Sequence, residues 1–200
     1  MNMKQRGRPR AYDPDVALDD TMGVFWRHGF SATSLDMIAE ATGMNRPSLA
    51  AAFGDKRALY LKSLARFGER MRETLGAKLA RKAKIDKSLL AFYAAAIDIY
   101  RSGGSAPLGC FVITTATTES AEDPTIKKAL AAVLNEIDLM LEDRIRRAIK
   151  DGQMGAEADV RGLAKLASAT LHSLAVRARA GESRRALESL AAAAVRCITS

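Results

Sequence analysis

Between Ser34 and Phe53 the chain reads Ser-Leu-Asp-Met-Ile-Ala-Glu-Ala-Thr-Gly-Met-Asn-Arg-Pro-Ser-Leu-Ala-Ala-Ala-Phe, and this stretch constrains the fold more tightly than any other. Leu35, Ile38 and Ala39 share one face of a helix, and Gly43 stands where the chain must reverse. Met44, Leu49 and Phe53 supply the apolar positions of a second short helix. Thr33-Ser34 is the start signal of the first helix, since either side chain can accept a hydrogen bond from the free N–H groups of that turn. Asn45 caps the second helix, and Pro47 fits inside its first turn, where a missing N–H costs nothing. Ala39, beside the glycine turn, lets the helices approach closely. Two short helices crossing at a glycine turn make a helix-turn-helix, which reads DNA by placing its second helix in the major groove.

The rest of the chain points to an all-α protein. Alanine and leucine dominate, aromatic residues are 6% of the chain, and no segment alternates like a strand. No apolar run is long enough to span a bilayer or to follow the basic N-terminus as a signal peptide, so a cytoplasmic protein is expected. Cys110 and Cys197 lie far apart without metal-ligand spacing, which suits reduced thiols.

The net charge of +8 suggests a polyanionic partner, and its distribution is uneven. Residues 1–12 hold Lys4, Arg6, Arg8 and Arg10 without an acid, whereas residues 13–60 hold four basic and seven acidic side chains. Between Leu61 and Lys87 nine basic residues face three acids. Residues 1–12 have no apolar face and are expected to form a flexible arm, in which Arg6, Arg8 and Arg10 can follow the potential of a narrow minor groove. Asp13 and Pro14 open a bracing helix with Leu18, Met22, Phe25 and Trp26 on its inner face and a stop near Gly29, after which Phe30 packs back. Gly54-Asp55 ends the helix-turn-helix and caps a connecting helix beginning at Lys56, with Leu59, Tyr60, Leu64 and Phe67 at helical spacing.

Phe25, Gly29-Phe30, Thr33-Ser34, Ile38-Ala39, Gly43, Leu49, Phe53 and Lys56 fall in the register of the tetracycline-repressor (TetR) family of bacterial transcriptional regulators, which residues 16–61 closely resemble. The resemblance implies a homodimer that binds a double-stranded operator. It also implies a small-molecule pocket in each C-terminal domain, whose ligand moves the two reading heads apart and releases the DNA. Carried over by position, Asn45, Arg46, Pro47 and Ser48 meet the bases, while Thr33 or Ser34 and Lys56 grip phosphates. Arg46 is the candidate for a guanine contact, because its guanidinium can donate two hydrogen bonds to O6 and N7. One position departs from the family: an aromatic residue, most often tyrosine, usually follows the buried leucine, and here it is Ala50. Losing that phosphate and sugar contact should weaken positioning more than base choice, unless the three alanines let the helix lie deeper in the groove.

Residues 1–12 are thus read as the arm, 13–55 as the DNA-binding domain and 56–200 as a helical ligand-binding and dimerisation domain. In the last, the connecting helix runs to about Leu79, and the basic run Lys78–Lys87 marks a turn. Asp86 or Ser88 starts a helix that stops at Ser-Gly-Gly-Ser, and Pro107 opens a short helix from Leu108 to about Thr118. Glu122-Asp123-Pro124 begins a long helix to about Lys150, with Ala129, Val133, Ile137, Met140, Leu141, Ile145 and Ile149 on its apolar face. Its basic residues Arg144, Arg146, Arg147 and Lys150 are placed to suit the negative end of the helix dipole. Two final helices, about Ala158–Ala180 and Arg184–Thr199, carry small residues on several faces and suit close packing against other helices. The resemblance implies a four-helix dimer interface from two protomers, the alternative being an intramolecular pair that completes a monomer's core. Candidate pocket residues are Phe92, Tyr93, Tyr100, Cys110, Phe111, Thr114, Met140, Leu171 and His172.

Three other function classes were weighed. An enzyme would need chemistry that the chain lacks: His28 and His172 do not form a metal pair, and there is no phosphate loop, nucleotide fingerprint or nucleophile elbow, so neither a metal nor a cofactor is expected. A purely architectural DNA binder accounts for the basic arm but not for a helical domain more than twice the size of the reader. A thiol-based sensor could act through Cys110, if the short helix beginning nearby lowers its pKa.

Overall fold

The computed structural model describes residues 12–103 and 106–200. Arg6, Arg8 and Arg10 of the arm, and Gly104 and Ser105 of Ser-Gly-Gly-Ser, lie outside the described residues. No strand occurs among those described. The chain divides into two compact units, Met1–Ser63 and Leu64–Ser200.

In the first unit, α1 (Pro14–Ala32) starts where Asp13 Oδ1 accepts hydrogen bonds from the N–H groups of Asp15 (2.8 Å) and Val16 (3.4 Å). Its regular winding breaks at Gly29, whose φ of 80° and ψ of 170° are open to glycine and strained for other residues. The break turns Phe30 back, so that its ring lies 6.1 Å from Phe25 and 4.9 Å from Tyr60. Ala17, Thr21 and Val24 complete the buried stripe with Met22, Phe25 and Trp26, while Leu18 is only half-buried. The α2 helix (Leu35–Thr42) is capped by Ser34, whose Oγ accepts from Met37 N (3.2 Å), and ends at Gly43 in the left-handed conformation. The α3 helix (Arg46–Phe53) is capped by Asn45, whose Oδ1 accepts from Ser48 N (2.9 Å). Ile38, Met44, Leu49 and Phe53 are buried, which fixes the faces that α2 and α3 turn inward.

The α4 helix (Lys56–Ala80) begins with Asp55 Oδ1 accepting from Ala58 N and continues from the first unit into the second. There Leu64, Phe67, Met71, Leu75 and Leu79 keep one buried face. The second unit then contains α5 (Ile85–Tyr100), a π-helical turn (Val112–Ala116), α6 (Thr117–Glu119), α7 (Pro124–Lys150), α8 (Val160–Arg179) and α9 (Arg184–Thr199). The α8 helix packs on α7, α9 and α5, and α5 also packs on α9.

Two expectations need correction. Neither Asp86 nor Ser88 starts α5: the helix begins at Ile85, whose N–H donates to Gln153 Oε1 (2.7 Å), a partner 68 residues away. Pro107 does not open a helix. Residues 107–110 are irregular, Gly109 adopts φ 71°, and winding starts at Phe111. In this turn the hydroxyls of Thr114, Thr115 and Thr117 donate to the carbonyls of Cys110, Phe111 and Ile113, four residues back. Of the four basic residues expected to suit the negative end of the α7 dipole, Arg144 differs from the others in being buried, at 3% exposed.

The two kinds of glycine can be separated by stability. A Cβ on Gly109 would lie 2.7 Å from the Ala175 carbonyl oxygen on a backbone with positive φ. Gly109→Ala is expected to destabilise by about 2 kcal/mol or more. On Gly76, inside α4, a Cβ would meet Met140 Sδ at 3.5 Å, an ordinary contact. Gly76→Ala is therefore expected to stabilise by about 0.5–1 kcal/mol, read from the urea midpoint.

Candidate DNA-reading surface and interior cavity

With Leu49 and Phe53 turned inward, α3 exposes Arg46, Pro47, Ala50 and Ala51. Asn45 is exposed too, although its side chain is occupied in capping, and Ser48 is half-buried. The Arg46 guanidinium is held by Asp36 of α2: Nε donates to Oδ1 (2.6 Å) and Nη2 to Oδ2. This pairing holds the Asp36 carboxyl below its usual range and raises the Arg46 pKa. It occupies one edge of the guanidinium and leaves Nη1 on the other.

The residues expected on phosphates are placed differently from one another. Thr33 is 2% exposed and its hydroxyl donates to the Gly29 carbonyl (2.6 Å), whereas Ser34 is exposed at the cap of α2. Lys56 is half-buried: its Nζ lies 4.6 Å from the centre of the Phe30 ring and donates to the Ser31 carbonyl (3.3 Å). Lys62, which the sequence reading did not single out, donates to the Phe53 carbonyl (3.2 Å) and so steadies the end of α3.

The second unit encloses a narrow cavity of about 20 Å³, space for little more than one water molecule. Among the nominated pocket residues, Tyr100, Cys110, Leu171 and His172 line it. Phe92 and Tyr93 instead pack on each other 5.2 Å apart in the core, where the Tyr93 hydroxyl donates to the Ala167 carbonyl. Phe111 packs edge-on to Phe67, Thr114 is bonded to the Cys110 carbonyl, and Met140 lies against Gly76. The remaining walls come from Phe67 and Met71 of α4, from Val112 and Ile113, and from Val133, Leu134 and Ile137 of α7. Helical spacing showed several of these to be apolar, but nothing local marked them as cavity walls.

Three polar groups face this apolar space. Tyr100 is fully buried, and its hydroxyl faces the Cys110 thiol as a donor. Burial pushes its phenol well above the ordinary value, so it remains a donor. Burial also pushes the Cys110 thiol up to about 11, outweighing hydrogen bonds from the backbone of Ile113 and Val112. The expected lowering by a nearby helix start is therefore overturned, and Cys110 is a protonated thiol at neutral pH. His172 is lowered by burial, partly offset by Asp138, and is neutral at pH 7. At about 20 Å³ the space between these groups is far smaller than a pocket for a drug-sized molecule.

Among the described residues no group of three or more His, Cys, Asp or Glu could hold a metal ion, and no helix is long and apolar enough to cross a membrane. A helix-turn-helix unit followed by an all-helical unit with an interior cavity defines a class of DNA-binding regulators, and sequence comparison specifies which one. Residues 17–62 match the profile of bacterial regulatory proteins, tetR family, and residues 86–194 that of the tetracyclin repressor-like C-terminal domain. The chain belongs to the tetR family of bacterial regulatory proteins.

It is 34% identical to the HTH-type transcriptional repressor ComR of Escherichia coli over 193 residues, 96% of this chain and 92% of that protein. Over 58 residues, 29% of each chain, it is 40% identical to the E. coli repressor BdcR. A cysteine mutant of the TetR-family regulator CifR, solved in complex with 26-bp double-strand operator DNA, superposes with a TM-score of 0.87 at 31% identity, covering 94% of this chain and 98% of that one.

The two thiols should differ in reactivity. Cys197 is exposed, while Cys110 is buried and its raised pKa leaves about a hundredfold less thiolate at pH 8 than an ordinary thiol has. With a limiting alkylating reagent in the native protein, mass spectrometry is expected to find Cys197 modified first, and Cys110 only after denaturant is added.

Proposed function

We propose that the protein is a repressor that binds a pseudo-palindromic operator as a homodimer in the cytoplasm and is released by a small molecule, and that it is not an enzyme. In this reading residues 1–12 are a DNA-contacting arm, 13–55 the reading head and 56–200 the ligand-binding and dimerisation domain. The observation that carries it is the outward face of α3. Asn45, Arg46 and Pro47 stand exposed at its start, and no large side chain follows to hold α3 away from a groove. The kinship with ComR and with operator-bound CifR supports it. Ser34 and Lys56, with Arg6, Arg8 and Arg10 of the arm, are the proposed backbone contacts, and Thr33 supports Ser34 from beneath.

Dimerisation through α8 and α9 is supported by an uncovered stripe on α8. Leu166 (45% exposed), Ala169, Ser173 and Val176 (55% exposed) recur at helical spacing on one outward side. The effector site is the cavity bounded by Tyr100, Cys110, Leu171 and His172, with the Tyr100 hydroxyl, which now faces the Cys110 thiol, as its hydrogen-bond donor.

Asp36 gives this reading a sharper form. By fixing the Nε edge of Arg46 it pre-orients the opposite edge, which can still donate to guanine O6 and N7. Fluorescence-anisotropy titrations at two salt concentrations would compare DNA from upstream of the protein's own coding region with scrambled DNA. A preference of about a thousandfold that survives near-physiological salt is expected. Equal, salt-sensitive affinity for both DNAs and for the selected ligands of a random-sequence pool would refute specific reading. Arg46→Ala should cost about 1–3 kcal/mol of discrimination. Asp36→Ala should lower discrimination while slightly raising affinity for scrambled DNA, because it removes an anion. An unchanged ratio for Asp36→Ala would show that Arg46 reads DNA without that support.

A further inference from the structure

The basic run after α4 folds into a cleft that the DNA-reading proposal leaves unused. Its volume is about 700 Å³, and it is bounded by the end of α4, the link to α5 and the end of α7. The charged residues lining it are Arg81, Lys82, Arg144, Arg147 and Lys150, against Asp151 alone.

Part of this excess is neutralised. Arg147 pairs with Asp143 (3.0 Å). The ends of α4 and α7 together supply about one negative charge through their exposed carbonyls. That leaves Arg81, Lys82, Arg144 and Lys150 against Asp151 and the two helix ends, an excess of about two positive charges.

Arg144 makes the excess costly. It is 3% exposed, and among the described residues no carboxylate pairs with it. One of its Nη2 hydrogens is spent on the Ala83 carbonyl (2.8 Å), Nη2 also reaches Ser88 Oγ (3.2 Å), and Nε–H has no acceptor. The charges acting on it are Arg147, which repels, and Asp151, which attracts. Uncompensated cations this deep are normally held against an anion.

We infer that this cleft binds a dianionic oxyanion group, with Arg144 as its buried anchor and Lys82, Arg147 and Lys150 around its mouth. Two negative charges match the local excess, and an oxyanion offers the acceptors that the guanidinium lacks. The inference does not depend on the DNA-reading proposal, because the site belongs entirely to the second unit.

The test is thermal unfolding of the full chain at matched ionic strength in chloride, in inorganic phosphate and in a dicarboxylate such as succinate. A saturable rise in Tm on the order of 5 °C in phosphate, succinate or both is expected, and which one acts identifies the oxyanion. Lys82→Glu and Lys150→Glu, both at exposed positions, should each reduce the rise severalfold. Arg144→Met should abolish it whatever its own Tm, since each variant is compared with itself in chloride. Arg46→Ala should retain it, which separates this cleft from anions bound at the reading head. No rise beyond chloride, or a rise that Lys82→Glu and Lys150→Glu leave unchanged, would overturn the inference.

Discussion

The small first unit depends on one aromatic cluster. Tyr60 lies 5.1 Å edge-on from Phe25 and 4.9 Å from Phe30, with Phe25 and Phe30 stacked 6.1 Å apart. A unit of this size buries a smaller share of its surface than larger domains do, so a few large side chains supply much of its cohesion. The cluster exists because Gly29 can take a positive φ and return Phe30 toward α1, and the Thr33 hydroxyl closes that turn on the Gly29 carbonyl. Lys56 covers the outer side of Phe30. The start of α2 is thereby fixed, and with it the direction in which Ser34 and Asp36 point. The surface of α3 is set by a mechanical chain that begins in the core rather than by α3 alone.

That chain explains why the first unit was legible in the sequence. Its determinants are local: Asp13, Ser34, Asn45 and Asp55 each accept a hydrogen bond from an N–H two or three residues on, and Gly43 reverses the chain at a single position. Such signals are written within one helical turn and can be read there. The second unit is settled by distant partners. Ile85 becomes the first residue of α5 because Gln153 accepts its N–H, and no inspection of residues 80–90 could show that. The same holds for the burial of Arg144, whose partners, Ala83 and Ser88, lie some sixty residues earlier. The late start of winding after Pro107 is likewise tied to a distant partner, since Gly109, at positive φ, lies close against the Ala175 carbonyl.

The candidate site divides along the same line. Asn45, Arg46 and Pro47 could be named because an exposed helix face follows from helical spacing once the buried face is known. The cavity could not, because a wall residue and a core residue have the same character until four helices and the π-helical turn meet. Phe92 and Tyr93 therefore entered the list although they are core, and Phe67 and Met71 escaped it although they face the cavity. Polar character was an incomplete guide: Tyr100, Cys110 and His172 line the space, whereas Tyr93 and Thr114, also nominated, are bonded to backbone carbonyls outside its lining.

The size of the cavity bears on how a ligand could regulate such a protein. A pocket for a drug-sized molecule needs about 300–1,000 Å³. The present space of about 20 Å³ is far below that, so this conformation is not the one an effector of that size occupies. Enlargement by parting α4 from α7 would open the places where Gly68 faces Val133 and Gly76 faces Met140. A ligand that binds only the enlarged state shifts the population toward it, by at most its difference in affinity for the two states. The cost of separation falls on α4, since Phe67 and Met71 belong to the same continuous helix as Lys56 and Tyr60. If this cavity is the effector site, its tightness matters: a cavity already open would bind its ligand without any change in α4, and binding would then carry no signal.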